Sequence, residues 1–275
     1  MNKYNLSFSV LCSLYNKESK ENYYFMLDSL YHQTVLPSEV VIVYDGFVRE
    51  ELSNITLDFS NKLKIIVIQL EHNVGLGKAL DIGLRSCNYE IVARMDTDDI
   101  CYNNRFELQL EQFYHNPNID ILGGAILEFD DENSLERLKK LPLSKEDIKK
   151  YSKKKNPINH MTVMFKKNRV LSCGGYQHHL FMEDYNLWLR CISLDYNIKN
   201  LEQVLVKART GIDMVKKRRG IKYISSEIKL LKLRMSLFKD PYLSTLYIFF
   251  VRVFSRLLPY KALNVLYKIE RKKDV

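Results

Sequence analysis

Glu90-Ile-Val-Ala-Arg-Met-Asp-Thr-Asp-Asp99 is an apolar run that ends in carboxylates. Ile91 to Met95 reads as a strand covered on both faces, because a short run with β-branched residues suits the middle of a buried sheet. Asp96, Asp98 and Asp99 then crowd three negative charges into four residues. Charges that close repel one another unless a cation or solvent screens them. At the end of a buried strand a hard divalent cation, Mg²⁺ or Mn²⁺, is the natural counter-ion. Mg²⁺ is held by one or two carboxylates, with phosphate oxygens and water completing its shell. A nucleoside diphosphate supplies such oxygens, and the metal offsets the charge that develops as diphosphate departs. A D-x-D read in isolation is more often a helix cap or a surface loop.

Outward from this stretch, strand and helix signals alternate. Phe8–Leu14, Val40–Val43 and Lys64–Ile68 are apolar or β-branched runs. Glu21–Gln33, Leu76–Cys87 and Asn104–His115 place apolar residues at helical spacing. Ile119–Phe129 and Met161–Phe165 return to strand, and Glu183–Leu194 reads as a helix burying Tyr185, Trp188, Leu189 and Ile192. Alternation of this kind implies an α/β fold with parallel strands joined by crossover helices. Such sheets bind ligands beyond the carboxyl ends of their strands. Asp45 and Asp96 both follow an apolar strand, which puts them on one sheet edge.

The chain has 275 residues and 46% hydrophobic content, enough for a full core in one large domain with an appendage or in two small ones. Its five scattered cysteines argue against a disulfide framework or a zinc site and fit a reducing cytosol. The first apolar run is too short for a signal sequence. The +9 net charge is uneven: residues 207–275 hold 18 Lys+Arg against 5 Asp+Glu, a surplus of 13. A basic final quarter suits an anionic partner or a solvated helical surface. Pro241–Leu258 is apolar and aromatic, with Leu243, Leu246, Phe250, Val253 and Leu257 on one helical face. Two arginines interrupt it, and it falls short of the roughly 20 apolar residues that span a bilayer. It reads either as a helix in the plane of a membrane surface or as one packed on the main domain or a second copy. Residues 130–155 turn polar and lysine-rich and read as a surface excursion.

Other residues can do chemistry. Asp45-Gly46 places a carboxylate where it can accept from a base N–H such as uracil N3, although Asp-Gly is also an ordinary turn. Asn73-Val-Gly-Leu-Gly-Lys78 opens a helix; Gly77 permits close backbone approach and Lys78 can face a phosphate. Glu183-Asp184 opens another helix, as dipole complements or as a general base toward an acceptor hydroxyl. Gly174-Gly175 gives a close-packed approach to it. His160 is a structural residue or a site residue. Arg218-Arg219 can fork onto diphosphate or form a solvated charge run.

The ordered stretches Ser9–Glu18, Ser29–Thr34, Val43–Gly46, Asn73–Gly77, Arg94–Asp99 and Glu183–Trp188 together resemble glycosyltransferase family 2. Asn156–His160 and Arg218–Gly220 look like its bacterial capsule, exopolysaccharide and O-antigen branch. The likeness covers roughly residues 6 to 220. It implies a GT-A fold with a mixed, mostly parallel central sheet, a nucleotide-sugar donor, a divalent metal and inverting displacement. It implies Leu14, Tyr15 and Asn16 near the nucleotide, Asp45 at the base, Asp96 and Asp98 at ribose and metal with Asp99 adjacent, and Asp184 as catalytic base beside Glu183. Glu18, Asn73, Gly77, Lys78, Arg94 and Thr97 fall within or beside these donor-binding stretches, and His160, Gly175 and Trp188 are expected to line the acceptor side. Tyr44 departs from the pattern, since many members carry an aspartate there; the base is less determined as a result. A transferase domain over 1–220, with a nucleotide half to about 130 and an acceptor half beyond it, is expected to precede a basic, helical extension over 221–275. The expected acceptor is a lipid-linked saccharide at the cytoplasmic face of the membrane.

Two rivals remain at this stage. A nucleotidyltransferase also needs a carboxylate-bound metal, but it would show a glycine-rich loop where Ser13–Glu18 has none. A non-catalytic nucleotide-sugar-binding protein would lack the acidic residues present here. No motif for specific nucleic-acid recognition is found.

Overall fold

The computed structural model describes residues 4–130, 135–210 and 220–257. Strands are β1 (Phe8–Leu14), β2 (Glu39–Tyr44), β3 (Ile65–Gln69), β4 (Ile91–Arg94), β5 (Ile100–Cys101), β6 (Ile121–Asp130), β7 (Leu135–Lys139), β8 (Met164–Lys166) and β9 (Ile198–Arg209). Helices are α1 (Lys20–Tyr31), α2 (Glu50–Ser60), α3 (Leu76–Ser86), α4 (Arg105–His115), α5 (Lys145–Tyr151), α6 (Lys167–Ser172), α7 (Glu183–Ser193), α8 (Ile221–Leu237) and α9 (Tyr242–Leu257). A single 3₁₀ turn covers His160–Thr162.

One sheet runs β3-β2-β1-β4-β8-β6-β9-β5, with β7 paired to β6. The first four strands are parallel, with Leu14 beside Tyr44 and Leu11 beside Arg94. Beyond β4 the sheet changes character. Of eight strand pairings, the four at β4–β8, β6–β8, β6–β7 and β5–β9 are antiparallel. The sheet is therefore mixed, and the long β6–β9 pairing, also parallel, leaves most of its paired residues in parallel register. Of the four antiparallel pairings, only β6–β7 joins strands that follow one another in the chain.

Period-2 alternation divides the core. Phe8, Val10, Cys12 and Leu14 of β1 join α1, α2 and α4 in one apolar layer, while Leu11, Val41, Val43 and Val92 join α3, α6 and α7 in the other. Gly83 lets α3 approach closely, since a Cβ there would lie 2.6 Å from Leu11 and Val43 side-chain carbons. Within residues 130–155 the structure forms β7 and α5 rather than a plain surface loop. Met182, the N-cap of α7, and Tyr185 and Leu189 within it pack with Tyr223 and Leu230, so α8 is seated on α7. The Sγ atoms of Cys173 and Cys191, distant in sequence, lie 3.4 Å apart as free thiols.

Candidate active site

Because β2, β1 and β4 are parallel neighbours, Asp45 and Asp96 leave the sheet at the same edge, as their spacing requires. The Asp45 carboxylate accepts the Val74 N–H at 2.7 Å and the Gly75 N–H at 3.1 Å. It therefore holds the entrance to α3, where Gly75 adopts φ 85 as N-cap. Gly46, at φ 84, lies where a Cβ would sit 2.7 Å from the Asn73 nitrogen. Asn73 is exposed and donates through Nδ2 to the Asp45 carbonyl at 3.2 Å; Lys78 is exposed on the first turn of α3.

Arg94 sits at the centre of the acidic turn, only 1% exposed, ion-paired through Nη1 with Asp96. Its buried charge is compensated by Asp96 and, at longer range, by Asp99, which outweigh the cost of desolvation and hold it cationic. The Arg94 carbonyl accepts from the equally buried Arg105 at 2.8 Å. Asp98 has less compensation. Burial first, then the charges of Asp96 and Glu18, push its carboxyl up to about 7. Asp99 is turned into the protein: Oδ1 accepts the Arg209 N–H at 2.8 Å, and Oδ2 is buried with no hydrogen-bond partner among the described residues. Burial raises its carboxyl well above the ordinary range.

Tyr15 is exposed at 40%, and its hydroxyl is raised by burial and by the charges of Glu18 and Asp98. Asn16 accepts the Arg49 N–H through Oδ1 at 3.1 Å. Glu18 accepts from Thr97 Oγ1 at 2.6 Å and from the Ser19 N–H at 2.9 Å, which ties the turn after β1 to the acidic turn.

On the far side, Asp184 stands half-buried in the first turn of α7. Its Oδ2 accepts from Asn156 Nδ2 at 2.5 Å and its Oδ1 from the Tyr185 N–H at 2.7 Å. Adjacent Glu183 is pushed up to about 7, chiefly by burial and then by the charge of Asp184. Burial raises the Tyr176 hydroxyl above its ordinary range, and the charges of Asp184 and Asp96 add to the rise. Gly77 makes a close approach here: a Cβ there would lie 2.8 Å from the Gln177 carbonyl oxygen and from Glu183 Cγ. His160 Nε2 meets the Tyr176 hydroxyl at 2.9 Å, and burial holds this imidazole well below its usual range, neutral at pH 7.

Several expected site residues are turned inward. Leu14 is fully buried in the apolar layer, and only its carbonyl, bonded to the Asp45 N–H at 2.8 Å, reaches the sheet edge. Trp188 is fully buried behind His160, with ring centroids 6.1 Å apart, so it supports the site from the core and lines no cleft. Arg94, Glu18 and Thr97 bond within the protein, and Gly77 makes close approach to protein rather than to a phosphate. Gly175, at φ 61, serves packing against Asp81. Arg218 and Arg219 lie outside the described residues. Tyr176 and Arg49 carry site contacts that no motif signalled, while Asn156 lies in the stretch Asn156–His160 that carries the resemblance but was given no role of its own.

The donor set fits a divalent cation without a ready-made cage. Among the described residues no three His, Cys, Asp or Glu side chains group to hold a metal. An under-compensated Asp98 beside Asp96 matches the one or two carboxylates that Mg²⁺ takes when phosphate supplies the rest.

The family model "Glycosyl transferase family 2" matches residues 9–174. The chain is 49% identical over 265 residues to the amylovoran biosynthesis glycosyltransferase AmsE of Erwinia amylovora, covering 96% of this chain and 99% of that one. It is 39% identical to a UDP-Gal:alpha-D-GlcNAc-diphosphoundecaprenol beta-1,3-galactosyltransferase of Escherichia coli, covering 95% of each chain. Among solved structures, S. aureus TarS 1-349 in complex with UDP-GlcNAc superposes with a TM-score of 0.66 at 20% identity, over 92% of this chain and 74% of that one.

Proposed function

Since the chain belongs to glycosyltransferase family 2, we propose that it moves a sugar from a UDP-sugar to a hydroxyl of a lipid-linked saccharide, inverting the anomeric centre, during assembly of a bacterial surface polysaccharide. The observation that carries this reading is the hold on Asp184, whose two carboxylate oxygens accept from Asn156 Nδ2 and from the Tyr185 N–H at the start of α7. The relatives named above supply the chemical class of donor and acceptor.

Asp98, with Asp96 beside it, is where a divalent cation would sit, and it would neutralise charge on the departing diphosphate. Tyr15, exposed and sensitive to the charge of Asp98, would meet the nucleotide, and Asp45, bonded to the Val74 and Gly75 N–H groups, would order the loop at the base. Asp184 takes the proton from the acceptor hydroxyl. The acceptor oxygen bonds to the anomeric carbon as the carbon–oxygen bond to diphosphate breaks, and that electron pair leaves with the nucleoside diphosphate. Asn156 fixes the angle of the accepting oxygen, and neutral His160 holds Tyr176 in the floor of the site.

A thermal-shift panel of UDP-, GDP- and dTDP-sugars, with and without Mn²⁺, tests the donor. A ligand bound only by the folded chain raises Tm. A UDP-sugar response that needs Mn²⁺ is expected. No response to any nucleotide sugar would overturn the reading.

A further inference from the structure

Helix α9 carries its charges inward and its apolar residues outward. Arg252 reaches back to Glu227 of α8 through Nε at 2.7 Å and Nη2 at 3.1 Å, and to the Lys154 carbonyl at 2.9 Å. Arg256 joins the same carboxylate at 3.5 Å and lies over the Tyr223 ring, 4.5 Å from its centroid. Glu227 is almost wholly buried by them. With the arginines thus committed, the opposite face presents Leu243, Tyr247, Phe250, Val251, Phe254 and Leu257 to solvent, from 53% exposed at Val251 to 81% at Leu243. These positions repeat at helical spacing and form one continuous stripe. Leu246 and Val253, expected on this stripe, are half-buried at its edge.

We propose that the outward face of α9 docks in the plane of an anionic lipid surface. A contiguous stripe of large apolar side chains marks an interaction surface rather than ordinary solvent exposure. The helix has 16 residues, and no helix among the described residues is long and apolar enough to cross a membrane. Lying in the interface satisfies an apolar stripe on a helix of that length. Charge selects lipid over a neutral partner. Residues 207–275 carry 18 basic against 5 acidic residues. Lys222, Lys229, Lys232 and Lys239 are exposed on and just after α8, the helix on which α9 rests. A surplus of basic side chains in the segment that carries an apolar stripe is a charge that anionic headgroups attract. The inference rests on α9 and its neighbours and holds whichever sugar is transferred.

Flotation of the full chain with vesicles tests it. The chain is expected to float with phosphatidylcholine–phosphatidylglycerol vesicles, less with phosphatidylcholine alone, and less in high salt. Replacing Phe250→Ser together with Phe254→Ser should cut flotation by about tenfold or more while leaving Tm unchanged, because both side chains already face water. Wild-type-like flotation of that variant overturns the proposal, as does failure of the unmodified chain to float. A Phe250→Trp variant supplies a second reading against the constant background of buried Trp188. Its emission should shift to the blue with anionic vesicles and be quenched by brominated acyl chains; an unshifted spectrum counts against docking. Light scattering separates the remaining occupant: a dimer that the Phe250/Phe254 variant dissolves, with no vesicle binding, assigns the stripe to a second copy and overturns the lipid assignment.

Discussion

Arg94 balances Asp96, and Asp98 is left facing Asp96 and Glu18, so the three acidic residues of one turn are not equivalent. Asp98→Asn should abolish the Mn²⁺-dependent rise in Tm with donor and lower kcat/KM on the order of 10²-fold, through lost stabilisation of the leaving charge. Asp184→Asn should leave donor binding intact and reduce kcat by about 10² to 10⁴, the range for a general base. Asn156→Ala removes one charge-assisted hydrogen bond worth about 1.5–3 kcal/mol, so kcat should fall while the donor KM stays put. Glu183 gives a pH signature. Its folded carboxyl is raised from 4.5 to about 7, so the stability it contributes is complete below about 4.5 and is lost as pH rises toward 7. Glu183→Gln should flatten the fall in Tm across that window, where each pH unit removes roughly 1.4 kcal/mol at most. A thermal melt series from acid to neutral pH reads it.

Elements bring these residues together through close approaches that only glycine permits. Gly175 combines φ 61 with a Cβ position 2.0 Å from Asp81 Oδ1, the same oxygen that accepts the Tyr176 N–H at 3.1 Å. Gly175→Ala should therefore cost about 1–3 kcal/mol of stability and displace Tyr176 from His160, measurable as a lower Tm and a lower kcat. The strands β1, β2 and β4 and the helices α3, α4 and α7 were legible in the sequence because apolar runs and helical spacing are local signals. Helix α2 was not, since its buried face is Leu52, Thr56 and Phe59 and its N-cap Arg49 makes no side-chain cap. Strand β9 was hidden by Lys199, Glu202, Gln203 and Lys207, and its pairing crosses a register shift at Gly124–Ala125 that no local pattern announces. Carboxylates at strand and helix ends were legible as candidates for the same local reason. Helical spacing did announce that Trp188 turns inward, but not that Arg94 does, because a buried guanidinium depends on neighbours that no local pattern supplies. Tyr176, and the role of Asn156 within its legible stretch, escaped for the converse reason: each acquires its part only when its partner arrives.

At the scale of the molecule, Glu227 is the joint between α8 and α9. Glu227→Ala would leave Arg252 and Arg256 without their buried counter-charge, and breaking a buried pair from one side costs about 3–5 kcal/mol. Limited proteolysis should then cut between residues 238 and 257 before the sheet unfolds, and a melt should show an early transition. Glu227→Gln, which keeps hydrogen-bond acceptance at Oε1, should lose less. The same stack bears on how the molecule meets its acceptor. Helix α7 carries Asp184 in its first turn and seats Tyr185, the next residue, and Leu189, one turn further, against α8, whose Glu227 grips α9. No long tether intervenes between the base and the apolar stripe. Anchored along that stripe, the protein would stand at a set height and tilt, like an instrument on a fixed mount, and acceptors whose hydroxyl projects to that height would be served in preference to longer or shorter ones.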